Sequence, residues 1–113
     1  MPKVEIVPSL AKEILKRFSK FEAHKVVDII ESLETEPHKG KTIGNVGGIV
    51  IKEIKYKGFR FYFVFDGHKL RTYDEEQLTN LLFRFVRMSD KKKQQETINQ
   101  IREILLKIGP SGL

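Results

Sequence analysis

Apolar positions follow a helical period at both ends of the chain and a strand period in its middle. A short alternating stretch, Val4–Val7, stops at Pro8 and predicts a strand. Two segments with helical spacing follow, the first capped by Ser9 and the second by Ser19. They predict an αα-hairpin that ends at Glu36–Gly40, because Pro and Gly do not continue a helix.

The middle of the chain alternates with the two-residue period of β-strands. Lys57–Gly58 is a tight-turn signal between two such runs, and Asp66–Gly67 is a second one. Gly44, Gly47 and Gly48 predict turns ahead of the first run. The predicted strands of this region are Ile49–Tyr56, Phe59–Phe65, His68–Tyr73 and Leu78–Met88.

An amphipathic segment closes the chain. Ser89–Asp90 is suited to cap a helix that runs from about Lys91 to Ile108 and stops at Gly109–Pro110. The pattern predicts one α+β domain over residues 1–113. Its N-terminal strand and αα-hairpin pack on an antiparallel meander of about four or five strands, followed by a C-terminal helix.

The tight turn between the two central strands decides which residues face each other. A two-residue turn places Lys55 opposite Arg60 and Glu53 opposite Tyr62. These four side chains then share the less apolar face of the hairpin. The other face has Lys52 as its only charge, so it is expected to pack on the helices.

Lys55 and Arg60 carry like charges at facing positions, which is unfavourable unless an anion lies between them. Glu53 can be that anion, in which case the face is an ordinary solvated surface. An RNA phosphate is the other candidate, since Arg binds phosphate through two hydrogen bonds and Tyr62 can stack on a base. Residue types alone leave both interpretations open.

Composition limits the class of partner without choosing one. The net charge of +6 and the basic isoelectric point favour nucleic acid, an anionic surface or an acidic protein. The absence of cysteine excludes disulfides and thiolate chemistry. No apolar run approaches the roughly 18 residues of a membrane span, so a soluble cytoplasmic protein without membrane attachment is expected. The three histidines, His24, His38 and His68, lack metal-ligand spacing, and we expect no metal or other cofactor.

Four features, in this order and spacing, resemble the RelE/ParE toxin superfamily and most closely its HigB-like branch. They are the αα-hairpin ending in Glu36–Gly40, the strand Ile51–Lys55, the strand Phe59–Phe63, and Phe85–Arg87 running into a basic helix. The resemblance covers about residues 8 to 104, which is most of the chain.

The resemblance implies a small toxin with a cleft on the exposed sheet face. RelE-like members cut mRNA in the ribosome without a metal, by attack of a 2′-OH on the adjacent phosphate. It also implies a cognate antitoxin that covers the basic cleft. Two alternatives stay open: a noncatalytic RNA- or protein-binding module on the same fold, and a ParE-like inhibitor of a protein target.

Individual roles are carried over by position. Arg60 matches the central Arg of the family, which stabilises charge on the reacting phosphate, and Lys55 matches a basic phosphate-binding position. RelE members carry lysines at the Ile51 and Glu53 positions, whereas HigB-like members often have an acid at the latter. The candidate catalytic residues are Glu53, Lys55, Arg60 and Arg84. The candidate substrate-binding residues are Lys52, Tyr62, Arg87, Lys91 and Lys92.

Overall fold

Five strands and four helices make up the fold. In this computed structural model, which describes residues 1–113, the strands are β1 (Lys3–Ile6), β2 (Lys41–Val46), β3 (Ile49–Tyr56), β4 (Phe59–Asp66) and β5 (Leu82–Asp90). The helices are α1 (Pro8–Arg17), α2 (Lys20–Glu31), α3 (Gly67–Thr72) and α4 (Gln94–Lys107). Short 3₁₀ turns lie at Ser32–Glu34, Gln77–Asn80 and Pro110–Gly112.

The strands form one sheet in the order β1-β5-β4-β3-β2. Strands β2 to β5 are an antiparallel meander, and β1 adds to the β5 edge in parallel. The predicted α+β class is therefore confirmed, together with the αα-hairpin and the C-terminal helix. The sheet is mixed because β1 lies parallel to β5. The αα-hairpin and the meander between them return the chain to this edge, so that β5 runs in the same direction as β1.

The two helices of the αα-hairpin begin in different ways. Ser19 caps α2 as predicted, since its hydroxyl accepts a hydrogen bond from the backbone N–H of Glu22 at 3.2 Å. The prediction of Ser9 as the cap of α1 is wrong, because Val7 is the N-cap and Pro8 opens the helix. Proline suits that first position, where its fixed φ is helical and its missing N–H is not needed.

The predicted strand over His68–Tyr73 is wrong, because this segment contains the helix α3. Asp66 decides the outcome. Its Oδ1 accepts hydrogen bonds from the backbone N–H groups of His68 at 3.0 Å and Lys69 at 3.1 Å. Asp66 therefore acts as a helix N-cap rather than as the first residue of a hairpin turn.

Two further boundaries differ from the pattern. The segment Lys41–Val46, where only turns were expected, is the edge strand β2, which a bulge between Thr42 and Gly44 interrupts. The last strand begins at Leu82 rather than Leu78, because a 3₁₀ turn precedes it. The missed strand lacks the strict alternation that identifies strands, since only one side of a bulged edge strand meets the core.

The hairpin of β3 and β4 has the predicted register, with Lys55 opposite Arg60. Both turn residues have positive φ, 47° at Lys57 and 82° at Gly58. That conformation belongs to the two-residue turns that match the twist of the flanking strands. The register therefore follows from the turn, as the sequence predicts.

One sheet surface, here called the aromatic face, packs on the αα-hairpin. Phe18, which follows α1, contacts three rings of the β3–β4 hairpin at centroid distances of 5.1 to 6.2 Å. Further rings stack behind them across β4 and β5. The aromatic face comprises Tyr56, Phe59, Phe61, Phe63, Phe65, Phe83 and Phe85.

The opposite surface, here called the polar face, is covered by α4. The polar face comprises Ile51, Glu53, Lys55, Arg60, Tyr62 and Val64. At one end of α4, the Gln94 amide contacts Glu53, and further along Arg102 donates to the Ile43 carbonyl of β2 at 3.3 Å. Ile98, Ile101 and Leu105 on α4 are buried. The expected exposed cleft is therefore wrong. Helix α4 covers this face because the contact removes apolar residues of the helix and of the sheet from water together.

Gly58→Ala should destabilise the fold by about 1–2 kcal/mol, because a side chain with positive φ is strained. No neighbouring atom lies within 4 Å of the position of the added Cβ, so backbone strain is the only contribution. The urea unfolding midpoint measures the change. An unaltered midpoint would contradict the assigned turn conformation.

Candidate functional site

The centre of the candidate site is a buried ion pair on the polar face. The Nε of Arg60 lies 3.8 Å from the Oε2 of Glu53, and the two side chains are 9% and 1% exposed. This separation is too long for a hydrogen bond. The two groups therefore attract each other by charge while keeping unused hydrogen-bonding capacity.

Two atoms of this pair have no hydrogen-bond partner although they are buried: the Nε of Arg60 and the Oε1 of Glu53. Other atoms of the pair are only weakly engaged. Arg60 Nη1 donates to the Gly58 carbonyl at 3.3 Å, and Gln94 Nε2 donates to Glu53 Oε2 at 3.4 Å. Buried polar atoms are usually satisfied, so an unsatisfied donor and acceptor side by side leave room for a water, an ion or a ligand to bind them.

Tyr62 lies on the polar face and is fully buried. Its hydroxyl shares a 2.8 Å hydrogen bond with the hydroxyl of Ser89 on β5. Burial raises the pKa of Tyr62, and the negative charge of Glu53 acts in the same direction. The side chain is therefore neutral and enclosed, and its predicted stacking on an RNA base stays a prediction.

The lysines of β3 point to opposite sides. Lys55 is exposed opposite Arg60, as predicted. Lys52 lies on the aromatic face, where its Nζ donates to the His38 carbonyl at 3.2 Å and lies 5.7 Å from the centre of the Phe65 ring. Burial lowers the pKa of Lys52. Lys52 therefore lies on the opposite sheet face from the cluster that contains Arg60, as the predicted register requires.

Arg84 also lies apart from Arg60. It pairs with Val64, which is four residues from Arg60 along β4, or about 13 Å at strand spacing. Its Nε contacts Glu5 Oε1 at 3.2 Å, and its Nη1 donates to the Pro110 carbonyl at 2.8 Å. This engagement ties the C-terminal turn to β1. Of the two arginines on this strand, Arg84 is therefore the one farther from Arg60, and its catalytic role stays a prediction.

Arg87 is nearer to the centre, because it pairs with Tyr62 across β4 and β5. It is half-buried, and its Nη1 donates to the carbonyl of the neighbouring Val86 at 2.8 Å. A bulge follows directly at Tyr62–Phe63. The structure thus brings Arg87 beside the site while its hydrogen bond stays local.

The turn before α4 brings further cations to the Arg60 end of the sheet. Ser89 faces Arg60, and the chain continues through Lys91 and Lys92, which are exposed and outside every ion pair. Asp90 accepts a hydrogen bond from the backbone N–H of Lys93 at 2.9 Å, which stabilises this turn. Helix α4 therefore starts at Gln94, three residues later than Lys91.

Two site neighbours, Ser89 and Gln94, were not predicted as site residues. The signal for them was the apolar face of α4, because a helix with buried Ile98 and Ile101 needs an apolar surface to pack on. The apolar members of the polar face supply that surface. Pairing the apolar side of α4 with these sheet residues would have placed the first turn of α4 next to Glu53.

The assembled groups are suited to binding an anion such as a phosphate. A guanidinium with a free donor is backed by a carboxylate with a free acceptor, and exposed lysines stand around them. No three His, Cys, Asp or Glu side chains come together in a way that would hold a metal ion. None of the helices is long and apolar enough to cross a membrane.

Comparison with solved structures finds similarity to the archaeal RelE–RelB complex from Pyrococcus horikoshii OT3. The TM-score is 0.59 at 12% identity, over 80% of this chain and 94% of that chain. No protein-family model and no curated protein matches the chain. At this identity the likeness shows a RelE-like fold, in agreement with the resemblance of the sequence.

Arg60→Ala should lower the free energy of unfolding by about 3–5 kcal/mol, because it leaves the Glu53 carboxylate buried without an opposite charge. The double variant Glu53→Gln/Arg60→Gln should lose much less, since neither remaining group is charged. Arg71→Ala, which removes an exposed arginine of α3, is the matched control. Urea denaturation measures all three, and equal losses for the single and double variants would contradict the ion-pair interpretation.

Proposed function

We propose that this protein is the toxin of a type II toxin–antitoxin system and that it cleaves mRNA in the ribosome. The observation that carries the proposal is the Arg60–Glu53 pair, with its unsatisfied donor and acceptor, on a RelE-like fold. Exposed Lys55, Lys91 and Lys92 lie at the same end of the sheet. Positive groups around one reactive pair suit a polyanionic substrate.

Arg60 would stabilise the transition state. Attack of a ribose 2′-OH on the adjacent phosphate builds negative charge on the phosphate oxygens. The new bond closes a 2′,3′-cyclic phosphate, the bond from phosphorus to the 5′-oxygen of the next nucleotide breaks, and that oxygen takes up a proton from solvent. A guanidinium with a free Nε–H can donate to those oxygens, and in a site with little water such a contact is strong. The exposed lysines raise the local concentration of phosphate groups and help to position them.

Glu53 would exchange partners when the substrate binds. In the free protein its carboxylate balances the charge of Arg60 across 3.8 Å. A phosphate that takes over Arg60 leaves the carboxylate next to the reacting ribose, where Oε1 can accept the 2′-OH proton. One residue thus serves as the counter-ion of the free enzyme and as the general base of the reaction.

A protein antitoxin is the proposed partner, and the cytoplasm, where ribosomes are, is the proposed location. The similar archaeal structure is a RelE–RelB complex. The net charge of +6 in this chain favours an acidic partner. Leu15 and Phe21 on the αα-hairpin are 71% and 69% exposed, which provides apolar contact area for such a partner.

A noncatalytic RNA-binding module is the second candidate. The coverage of Arg60 and Tyr62 by α4 favours it, since only the exposed lysines are then free to contact RNA. Such a module would bind RNA in a salt-dependent way and leave it intact. Cleavage products therefore separate the two candidates.

Arg60→Lys should abolish growth arrest and lower the rate of mRNA cleavage by about 10²–10³. Lysine keeps a positive charge beside Glu53, so the fold is preserved, but it loses the planar pair of donors that an arginine presents to phosphate. The protein is expressed from a tightly controlled promoter in bacteria without an antitoxin. Growth and mRNA integrity are followed, and purified protein is tested on mRNA with and without ribosomes.

Arg71→Lys is the matched control, because it makes the same chemical change on an exposed part of α3. It should arrest growth as the wild type does. Cleavage that persists in Arg60→Lys would overturn the assigned role of Arg60. Intact mRNA with every variant, combined with salt-dependent RNA binding, would establish the second candidate instead.

A further inference from the structure

A lysine-lined groove lies at the edge of the sheet next to the candidate site. Strand β2 pairs with β3 only as far as Lys41 opposite Glu53, so Ile54–Tyr56 continue past the end of β2. The open edge borders a groove of about 460 Å³. Its lining residues are Ile29, Lys39, Gly40, Lys41, Glu53, Ile54 and Lys55.

The charge in this groove is strongly positive. Lys39, Lys41 and Lys55 take part in none of the ion pairs of the structure. The Nζ of Lys39 donates to the neutral Ser32 hydroxyl at 3.1 Å, which orients the ammonium group without neutralising it. The carboxylate of Glu53, the only acid in the lining, is engaged by Arg60 and Gln94. An anionic ligand is the complement of such a lining.

The groove is continuous with the candidate site. Lys55 lines the groove and also stands directly opposite Arg60. Lys41 lies one strand over and two positions along, which places its Cα about 8 Å from that of Lys55. Lys39 extends the series beyond β2. The three cations thus line one groove that reaches Lys55, opposite Arg60, and spaced cations suit the phosphates of a nucleic acid strand.

We propose that this groove binds the phosphate backbone of single-stranded RNA on one side of the phosphate held by Arg60. The inference rests on the proposed function and assigns Lys39 and Lys41, which sequence reasoning left without a role. Ile29 and Ile54 supply apolar surface for a ribose or base between the cations. Lysines recognise phosphate as point charges, so the groove reads no base sequence. Its continuity with Arg60 favours RNA over an acidic protein segment.

The test compares Lys39→Ala/Lys41→Ala with Lys12→Ala/Lys16→Ala, which removes two exposed lysines from α1. Both variants lower the net charge equally. The probe is a single-stranded RNA of roughly 12 nucleotides, with 2′-O-methyl groups that prevent cleavage. Fluorescence anisotropy at several salt concentrations gives the slope of log affinity against log salt. The groove variant should lose about 1.4 from that slope, since each single-strand phosphate contact contributes about 0.7.

Two further variants separate charge from structure. Lys39→Arg/Lys41→Arg should keep the wild-type slope, because the positive charges remain. Lys41→Ala alone removes none of the hydrogen bonds of the structure and should lose about half of the effect, or about 0.7. A Lys41→Ala protein that unfolds at the wild-type urea midpoint and shows this loss supports the groove.

Several results would overturn the groove. One is an equal slope for the groove variant and the α1 variant. Another is the absence of RNA binding by the wild type at about 50 mM salt. A third is a groove variant that binds an acidic peptide more weakly than the wild type but binds RNA equally well. The last result would assign the groove to a protein partner. The probe cannot be cut, so the outcome is independent of catalysis. A protein that cleaves no mRNA but shows the slope change would retain the groove and lose the proposed nuclease activity.

Discussion

The packing of α4 on the polar face is the contact on which the site depends. Apolar residues of α4 and of the sheet bring the two elements together, and the charged residues between them are buried as a consequence. Removing Arg60 and Glu53 from water is costly unless they stay close to each other. The buried pair is therefore a result of core packing, placed at the one end of the sheet where cations also gather.

The weak contact between Arg60 and Glu53 leaves both groups able to take other partners. At 3.8 Å the charges of Arg60 and Glu53 neutralise each other. Neither the Nε of Arg60 nor the carboxylate of Glu53 uses its full hydrogen-bonding capacity. In the proposed function, a phosphate would take over the guanidinium without breaking a strong bond, and the carboxylate would then be left to accept the 2′-OH proton. A tighter, bidentate pair would stabilise the free protein more and would resist this exchange.

Much of the fold was predictable because the local signals agree with the tertiary contacts. The Lys57–Gly58 turn determines the hairpin register, and Ser19 caps the second helix. The failed strand prediction over His68–Tyr73 arose where a short polar residue has two uses. Asp66 fits a hairpin turn and a helix cap equally well, and the space left beside Val50 and Gly48 admits only Gly67 at the next position. Contacts distant in sequence decided between them.

The sequence by itself determined that Glu53, Lys55, Arg60 and Tyr62 share one face, since alternation along a strand is a local property. Only the tertiary structure decided which of them meet solvent. Helix α4 packs on this face, where three of the four are buried and Lys55 stays exposed. The register of β5 against β4 places Arg84 beside Val64, away from Arg60. The physical reason is that burial depends on what packs across a sheet face, and that packing partner lies elsewhere in the chain.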